Sequence, residues 1–296
     1  MCYYDIINRI LPNRLFSFYH DKKNLEVIMN LYLAGGENKS WLSAMESAKT
    51  NKALYSYFYL NKHHGDKEEK VDNFLSKVEM NIFLDSGGYS AKTKGVNIDI
   101  DEYINFIKKY EKQIQTYAVL DVIGDFEKTM ENQIYMEDCG VNPLPVFHYG
   151  GELSNLELLC SKYDYIALGG LVPYARQKKE LKNWLDKCFS VIGTETKIHG
   201  FGMTGIDILL RYPFYSVDST SWLGGSMRAE IQKNINGKLV TQYCNDYGNI
   251  DIDSFLYVDL PESKKWLERV IYNAKTWSEM EELVTKIWEM RGIIWK

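Results

Sequence analysis

The chain has 296 residues, 45% hydrophobic and 25% charged, enough to bury the core of one large domain or two small ones with an ordinary globular composition. Its formal net charge of −5 excludes a global pull toward nucleic acid and leaves only a local basic face for such a partner. No apolar run reaches the ~18–20 residues that a bilayer crossing takes. The start, MCYYDIINRILPNRLF, lacks the basic start, apolar middle and small-residue cleavage site of a signal peptide, so the expected location is the cytoplasm.

In chain order, eight short apolar runs read as strands: LYLAG (31–35), ALYSYFYL (53–60), NIFLD (81–85), TYAVLD (116–121), PLPVFHY (143–149), YIALGG (165–170), KIHGFG (197–202) and FYSVD (214–218). Amphipathic stretches lie between most of them, such as DIDEYINFIKKYEK (99–112), with Asp99 as its N-cap, and ARQKKELKNWLDKCFSVI (175–192). NKHHGDKEEK (61–70) reads as a solvated loop leading into a helix, with His63 and His64 at the surface. Buried strands alternating with helices imply parallel β–α units. Eight of them in roughly 190 residues predict an α/β fold of the (β/α)8 TIM-like type, with a doubly wound open sheet as the rival. The barrel would bring Asp85, Asp121, His148, Gly169, His199 and Asp218 to one mouth, because every strand's C-terminal end lies on the same face.

After Asp218 the pattern changes. AEIQKNINGKLVTQY (229–243) holds two β-like runs around Asn236-Gly237, the pair favoured in a type I′ hairpin turn. Two helices, roughly 262–273 and 276–290, are expected to close the chain. With no clear linker, the reading is one barrel domain over 1–296, with 225–296 as a hairpin and helical extension.

Cys2, Cys139, Cys160, Cys188 and Cys244 are scattered and never form a CxxC pair, which argues against a disulfide framework or a zinc knuckle. Beyond His199 there is no further histidine and only Cys244, so that half alone holds no zinc site. His148 and His199 show neither HxH nor HExxH spacing and read as hydrogen-bonded residues lining the mouth, with no metal.

Asp85 stands in DSGGY, where two glycines let the backbone turn sharply and approach a ligand, and where the bland alternative is an Asx-type cap. ALGGL (167–171) repeats the glycine pair at another strand end. Two carboxylates facing one pocket suit chemistry at an acetal-like carbon. One attacks or stabilises an oxocarbenium-like centre while the other moves the proton. A sugar–sugar bond and a nucleobase–ribose bond both fit.

Five motifs in order, DSGGY (85–89), YAVLD (117–121), YIALGGL (165–171), HGFG (199–202) and YSVDSTSW (215–222), resemble the tRNA-guanine transglycosylase superfamily over roughly residues 80 to 245. Members are (β/α)8 barrels that exchange guanine in a nucleic acid for a 7-deazaguanine. The resemblance implies that Asp218 is the nucleophile attacking ribose C1′ and that Asp85 is the acid/base. It implies that Tyr89 stacks on the base, that Asp121 reads the purine's N1–H and amino edge, and that Gly169 and Gly170 form the turn beside the base's carbonyl. Ser86, His148, Leu171 and His199 complete the implied base pocket.

The chain departs from the tRNA enzymes in three places. It lacks their zinc site of three cysteines and a histidine, it has FHYGG where they carry glutamine, and His199 stands at a base-floor position that is usually aliphatic. A compact, zinc-less chain is similar to the phage and bacterial branch that inserts 7-deazaguanines, such as the 7-cyano form, into DNA. The implied chemistry needs no cofactor and no membrane, and leaves room for a homodimer or a protein partner. Arg228, Lys233 and Lys238 near the hairpin are candidates for phosphate contacts. The alternatives are a tRNA substrate, an inactive nucleic-acid-binding partner subunit, and a glycoside hydrolase.

Overall fold

Each of the eight apolar runs contributes a parallel strand. They are β1 (Asn30–Ala34), β2 (Lys52–Ser56), β3 (Asn81–Asp85), β4 (Ile114–Tyr117), β5 (Val146–His148), β6 (Tyr165–Gly169), β7 (Lys197–Gly200) and β8 (Ser216–Ser219). The computed structural model describes residues 29–64, 68–193, 195–228, 230–243 and 262–294. The strands form one sheet in the order β4-β3-β2-β1-β8-β7-β6-β5, and every pair in it is parallel. Its two edges meet where Ala118, just past β4, bridges Leu144, just before β5. There the Leu144 N–H donates to Tyr117 O at 2.8 Å and the Val119 N–H to Leu144 O at 3.0 Å. The sheet is therefore curled, with an order and handling of its edges compatible with a TIM-like fold.

Burial on both faces explains why the strands read as near-continuous apolar runs. All five residues of β1 and all four of β8, polar ones included, are buried. Between strands lie α1 (Lys39–Ser47), α2 (Tyr57–His64), α3 (Glu68–Leu75), α4 (Gly88–Thr93), α5 (Ile100–Lys109), α6 (Phe126–Asp138), α7 (Leu153–Lys162), α8 (Lys178–Val191) and α9 (Ile206–Leu209). In α5 the Asp99 side chain caps the Asp101 and Glu102 N–H groups, and Tyr103, Ile104 and Ile107 form the buried stripe.

Three expectations about element limits need correction. The run 53–60 is strand only to Ser56; the rest opens α2, where Tyr57 and Leu60, three apart, are buried on one helical side. The segment expected as a loop at 61–70 is helical at 61–64, in α2, and at 68–70, in α3; residues 65–67, and the side chains of His63 and His64, lie outside the described residues. The strand expected at 116–121 ends at Tyr117: the Ala118 N–H still reaches Leu84 O of β3, and the Val119 N–H then turns to Leu144 O across the seam where the two edges meet.

After β8 come the single turn α10 (Gly224–Met227) and an antiparallel hairpin, β9 (Glu230–Ile235) and β10 (Lys238–Tyr243). Asn236 (φ 53°) and Gly237 (φ 76°) both take the left-handed conformation that the type I′ turn demands. Residues 244–261, with Cys244, lie outside the described residues, as do Cys2 and the rest of 1–28. The chain closes in one helix, α11 (Glu262–Met290), where two were expected. No glycine or proline interrupts residues 262–290, so nothing stops the first turn from propagating into the last.

α11 ties the hairpin to the sheet. Asn273 accepts the Gln232 N–H at 2.7 Å and donates to Trp222 O and Glu230 O, each at 3.1 Å. Trp277 Nε1 donates to Gln232 Oε1 at 2.7 Å. Farther along, Glu281 Oε1 accepts from the Leu31 N–H and from Lys52 Nζ, each at 2.7 Å, so the helix is fastened at the N-terminal ends of β1 and β2, opposite the mouth.

Candidate active site at the strand ends

Parallel pairing puts the C-terminal ends of all eight strands on one side, and with them Asp85, Asp121, His148, Gly169, His199 and Asp218. On the β3 side the chain leaves the sheet through a tight turn. The Gly87 N–H donates to Asp85 Oδ2 at 3.0 Å and the Gly88 N–H to Ser86 Oγ at 3.1 Å. Gly87 has φ +77°, and a Cβ there would sit 2.5 Å from Ser56 Oγ, so the position requires glycine. Asp85 thus fills the Asx-turn role and still presents its carboxyl at the mouth.

Ser86 Oγ also donates to Asp121 Oδ1 at 3.1 Å, and His148 Nε2 lies 2.7 Å from Asp121 Oδ2. Both Asp121 oxygens are therefore held from inside the protein. The loop that carries it is fastened by Asn132 Nδ2, which donates to Leu120 O at 2.7 Å, and by the Val122 N–H, which donates to Thr129 Oγ1 at 3.0 Å. His148 pairs in register with Gly169, where a Cβ would come within 2.9 Å of Val146 Cγ1 and 3.1 Å of His148 Cδ2. A glycine at 169 makes room for the imidazole to reach Asp121. Gly170 continues the turn with φ +69°, and Leu171 is fully buried beneath it.

On the β7–β8 side the surroundings differ. Asp218 is 8% exposed and its Oδ1 accepts the Gly202 N–H at 2.8 Å. The same oxygen lies 3.3 Å from His199 Nε2. His199 is fully buried, against the rings of Phe83 and Phe201, each with its centroid 4.5 Å away. Its Nδ1 is 2.6 Å from Ser216 Oγ, which in turn is 2.5 Å from the Tyr165 hydroxyl. His199 therefore sits under Asp218 rather than on the open wall of the mouth. Burial lowers its pKa, and the neighbouring Asp218 opposes that shift.

The electrostatics separate the carboxyls. Burial, then the charges of Asp121 and Asp218, push the Asp85 pKa up to about 8 against the pull of the Gly87 N–H. Asp85 is thus a carboxyl that keeps its proton at neutral pH. Tyr89, on α4 just past it, is 59% exposed and free to meet something above the mouth.

Two features escaped the sequence reading. Glu37 follows β1 and accepts the N–H of Ser56, the residue that pairs in register with Asp85; burial raises its pKa to about 7. The signal was present in AGGE (34–37), an acid next to a strand-end glycine pair; in DSGG the acid stands before the pair, here after it. Tyr149 and Tyr174, after β5 and β6, stack with centroids 3.7 Å apart. Nothing in their spacing, 25 residues, distinguishes them from other tyrosines.

The fold and the site define a parallel α/β protein with a curled sheet, carrying a cluster of carboxylates and histidines at its strand ends. No protein-family model matches the chain, and no curated protein matches it significantly. Among the described residues no group of three or more histidines, cysteines or acids is placed to hold a metal ion, and no helix is long and apolar enough to cross a membrane.

Proposed function

We propose that the protein is a guanine-exchanging transglycosylase that replaces guanine in DNA with a 7-deazaguanine such as the 7-cyano form, on a closed barrel of the transglycosylase type. The observation that carries this reading is the division among three strand-end aspartates. Asp85 is held protonated near neutral pH, Asp121 is an acceptor clamped on both oxygens, and Asp218 is gripped on Oδ1 alone. A base-exchange reaction needs an acid, a base reader and a nucleophile in one pocket.

In the first step Asp218 Oδ2 attacks C1′ of the 2′-deoxyribose and the C1′–N9 bond breaks. The electron pair leaves with guanine, and Asp85 gives its proton to a ring nitrogen of the departing base. Asp85, now ionised, takes the N9 proton of the incoming 7-deazaguanine. That base's N9 bonds to C1′ and the Asp218 ester opens, returning both carboxyls to their starting states. Two displacements retain the configuration at C1′. Asp121, acceptor-only, suits the adjacent N1–H and amino donors of guanine. Tyr89 supplies a ring to stack on the base or its neighbour.

The target nucleotide must leave the stack, at a cost of about a few kcal/mol in duplex DNA. Phosphates then need cations near the mouth. Arg228 is engaged with buried Glu230, at 2.5 and 2.7 Å, and so contributes less than the sequence implies. Lys39, Lys70 and Lys77 line a cleft of about 670 Å³ that shares Glu37 with the mouth, and with Glu46 also in its wall they offer a weakly basic face for phosphate.

The deciding experiment measures release of labelled guanine from duplex DNA and from tRNA in parallel, with 7-cyano-7-deazaguanine supplied. Release from DNA alone supports the proposal. Release from tRNA alone moves the same chemistry to RNA, and release from neither overturns it.

A further inference from the structure

Behind Asp218 lies a line of buried polar groups that crosses three strands. Tyr165 opens β6, Ser216 opens β8, His199 is in β7 and Asp218 is in β8. Tyr165 OH to Ser216 Oγ is 2.5 Å, Ser216 Oγ to His199 Nδ1 is 2.6 Å, and His199 Nε2 to Asp218 Oδ1 is 3.3 Å. Apart from Asp218, the groups facing the imidazole are uncharged: the Phe83 and Phe201 rings, Tyr32 at a centroid distance of 6.4 Å, and the Ser216 hydroxyl.

The donors in this line have one consistent direction. A neutral imidazole carries one N–H. Were it on Nδ1, the Nε2 lone pair would face a carboxylate oxygen across 3.3 Å in a buried site, acceptor against acceptor. With the proton on Nε2, Tyr165 donates to Ser216, Ser216 donates to His199 Nδ1, and the His199 Nε2–H lies 3.3 Å from Asp218 Oδ1 as its nearest acceptor, not yet aligned with it. Nε2 is fully buried and makes no hydrogen bond in this structure; Asp218 Oδ1, at 3.3 Å, is a charged neighbour that stands outside hydrogen-bond geometry. A buried donor left unpaired is costly, so its nearby acceptor is drawn toward it.

We propose that His199 is the positioning residue of Asp218, the end of a one-way chain of donors that fixes Oδ1 and leaves Oδ2 as the reacting oxygen. The Gly202 N–H already donates to Oδ1 at 2.8 Å, and a small closing of the 3.3 Å contact would make the imidazole N–H its second donor. When the sugar ester at Oδ2 opens, the bond's electron pair returns to the carboxylate, and these donors meet the charge as it develops. The kinetic consequence rests on the transglycosylase reading; the geometric one does not.

The test therefore has two arms. In the first, exchange kinetics are compared for wild type, His199→Phe and His199→Gln, the last keeping an N–H near the Nε2 position. The expected result is a kcat lower by about 10- to 100-fold in His199→Phe with KM within about twofold, and recovery to within about fivefold of wild type in His199→Gln. Unchanged kcat in His199→Phe overturns the proposal, and so does an equal loss in both variants, which would mean packing alone. In the second arm, nitrogen-15 histidine NMR of the wild-type protein reads the tautomer directly. A neutral ring protonated at Nε2 near pH 7, with its Nε2 signal shifted in Asp218→Asn, supports the proposal. An Nδ1-protonated or cationic ring overturns it. If wild type exchanges no base, the function falls, and the NMR arm still decides the placement.

Discussion

The two sides of the mouth use the same residue type in opposite surroundings. Around β3 to β5, Asp85 is buried and feels the charges of Asp121, Asp218 and Glu37, with only the Gly87 N–H aimed at it, and that carboxyl holds its proton to about pH 8. Around β7 and β8, Asp218 has a backbone N–H on Oδ1 and an imidazole beside it, while its charge still reaches Asp85 across the mouth. Neighbours, not identity, set which aspartate is an acid and which is available to attack.

The largest expected effect would break the comparison at its second half. Asp218→Ala is expected to lower exchange by ~10⁴-fold or more while the circular dichroism spectrum and melting behaviour stay near wild type. Substantial exchange by this variant would remove the nucleophile assignment and leave the β7–β8 side structural.

Asp85→Asn tests the first half and should cost about 10²- to 10⁴-fold in kcat. Wild-type kcat/KM is expected to fall on the alkaline side with an apparent pKa near 8, and the variant should lose that limb. Stability gives an independent sign. The native carboxyl stays protonated to about pH 8, whereas an unfolded aspartate ionises near 3.9, so the folded state binds the extra proton between those values. Wild-type stability therefore declines as pH rises through that window and levels off above it. Glu37, raised to about 7, adds a decline of the same sign, so the comparison with the variant isolates Asp85. By pH 8.5 Asp85→Asn should melt about 3–6 °C higher than wild type, and the gain should vanish near pH 4. A variant that melts lower at both pH values would show that the crowded charge does not govern stability at this position, since Asn keeps the acceptor for the Gly87 N–H.

Much of this architecture was legible in the sequence, because a parallel strand buried on both faces leaves a short apolar run that no exposed element imitates. The strand-end acids were legible for the same reason: a carboxylate closing such a run is conspicuous. What could not be read was set by contacts between distant segments. β2 stops at Ser56, whose N–H is taken by Glu37, 19 residues earlier, and the aromatic run after it is apolar enough for strand or helix. The edges of the sheet meet through Ala118 and Leu144, a pairing with no local mark. The order Tyr165, Ser216, His199, Asp218 exists only once three strands are side by side.

A smaller effect sharpens the β3–β5 side. His148→Ala removes the 2.7 Å partner of Asp121 Oδ2 and leaves Ser86 as its only side-chain partner. The carboxylate should lose its fixed orientation, raising KM for the base by about 10-fold with a smaller change in kcat. A fall in kcat with KM unchanged would instead assign His148 to proton transfer and erase the difference between the two histidines.

The smallest effect lies at the opposite end of the sheet and separates chemistry from stability. Glu281 Oε1 receives both the Leu31 N–H and Lys52 Nζ, and its side chain and that of Lys52 are each 19% exposed. Glu281→Gln keeps an acceptor for the N–H but gives up the charge that faces the ammonium. The cost should be about 1 kcal/mol, lowering Tm by about 2–4 °C, since a partly exposed pair is screened and contributes modestly. Exchange at 25 °C should stay within twofold of wild type, because α11 is fastened where the strands begin and the aspartates stand where they end. If exchange instead falls in step with Tm, the two ends of the sheet are mechanically coupled, and losses at the mouth would have to be read against stability before any is assigned to chemistry.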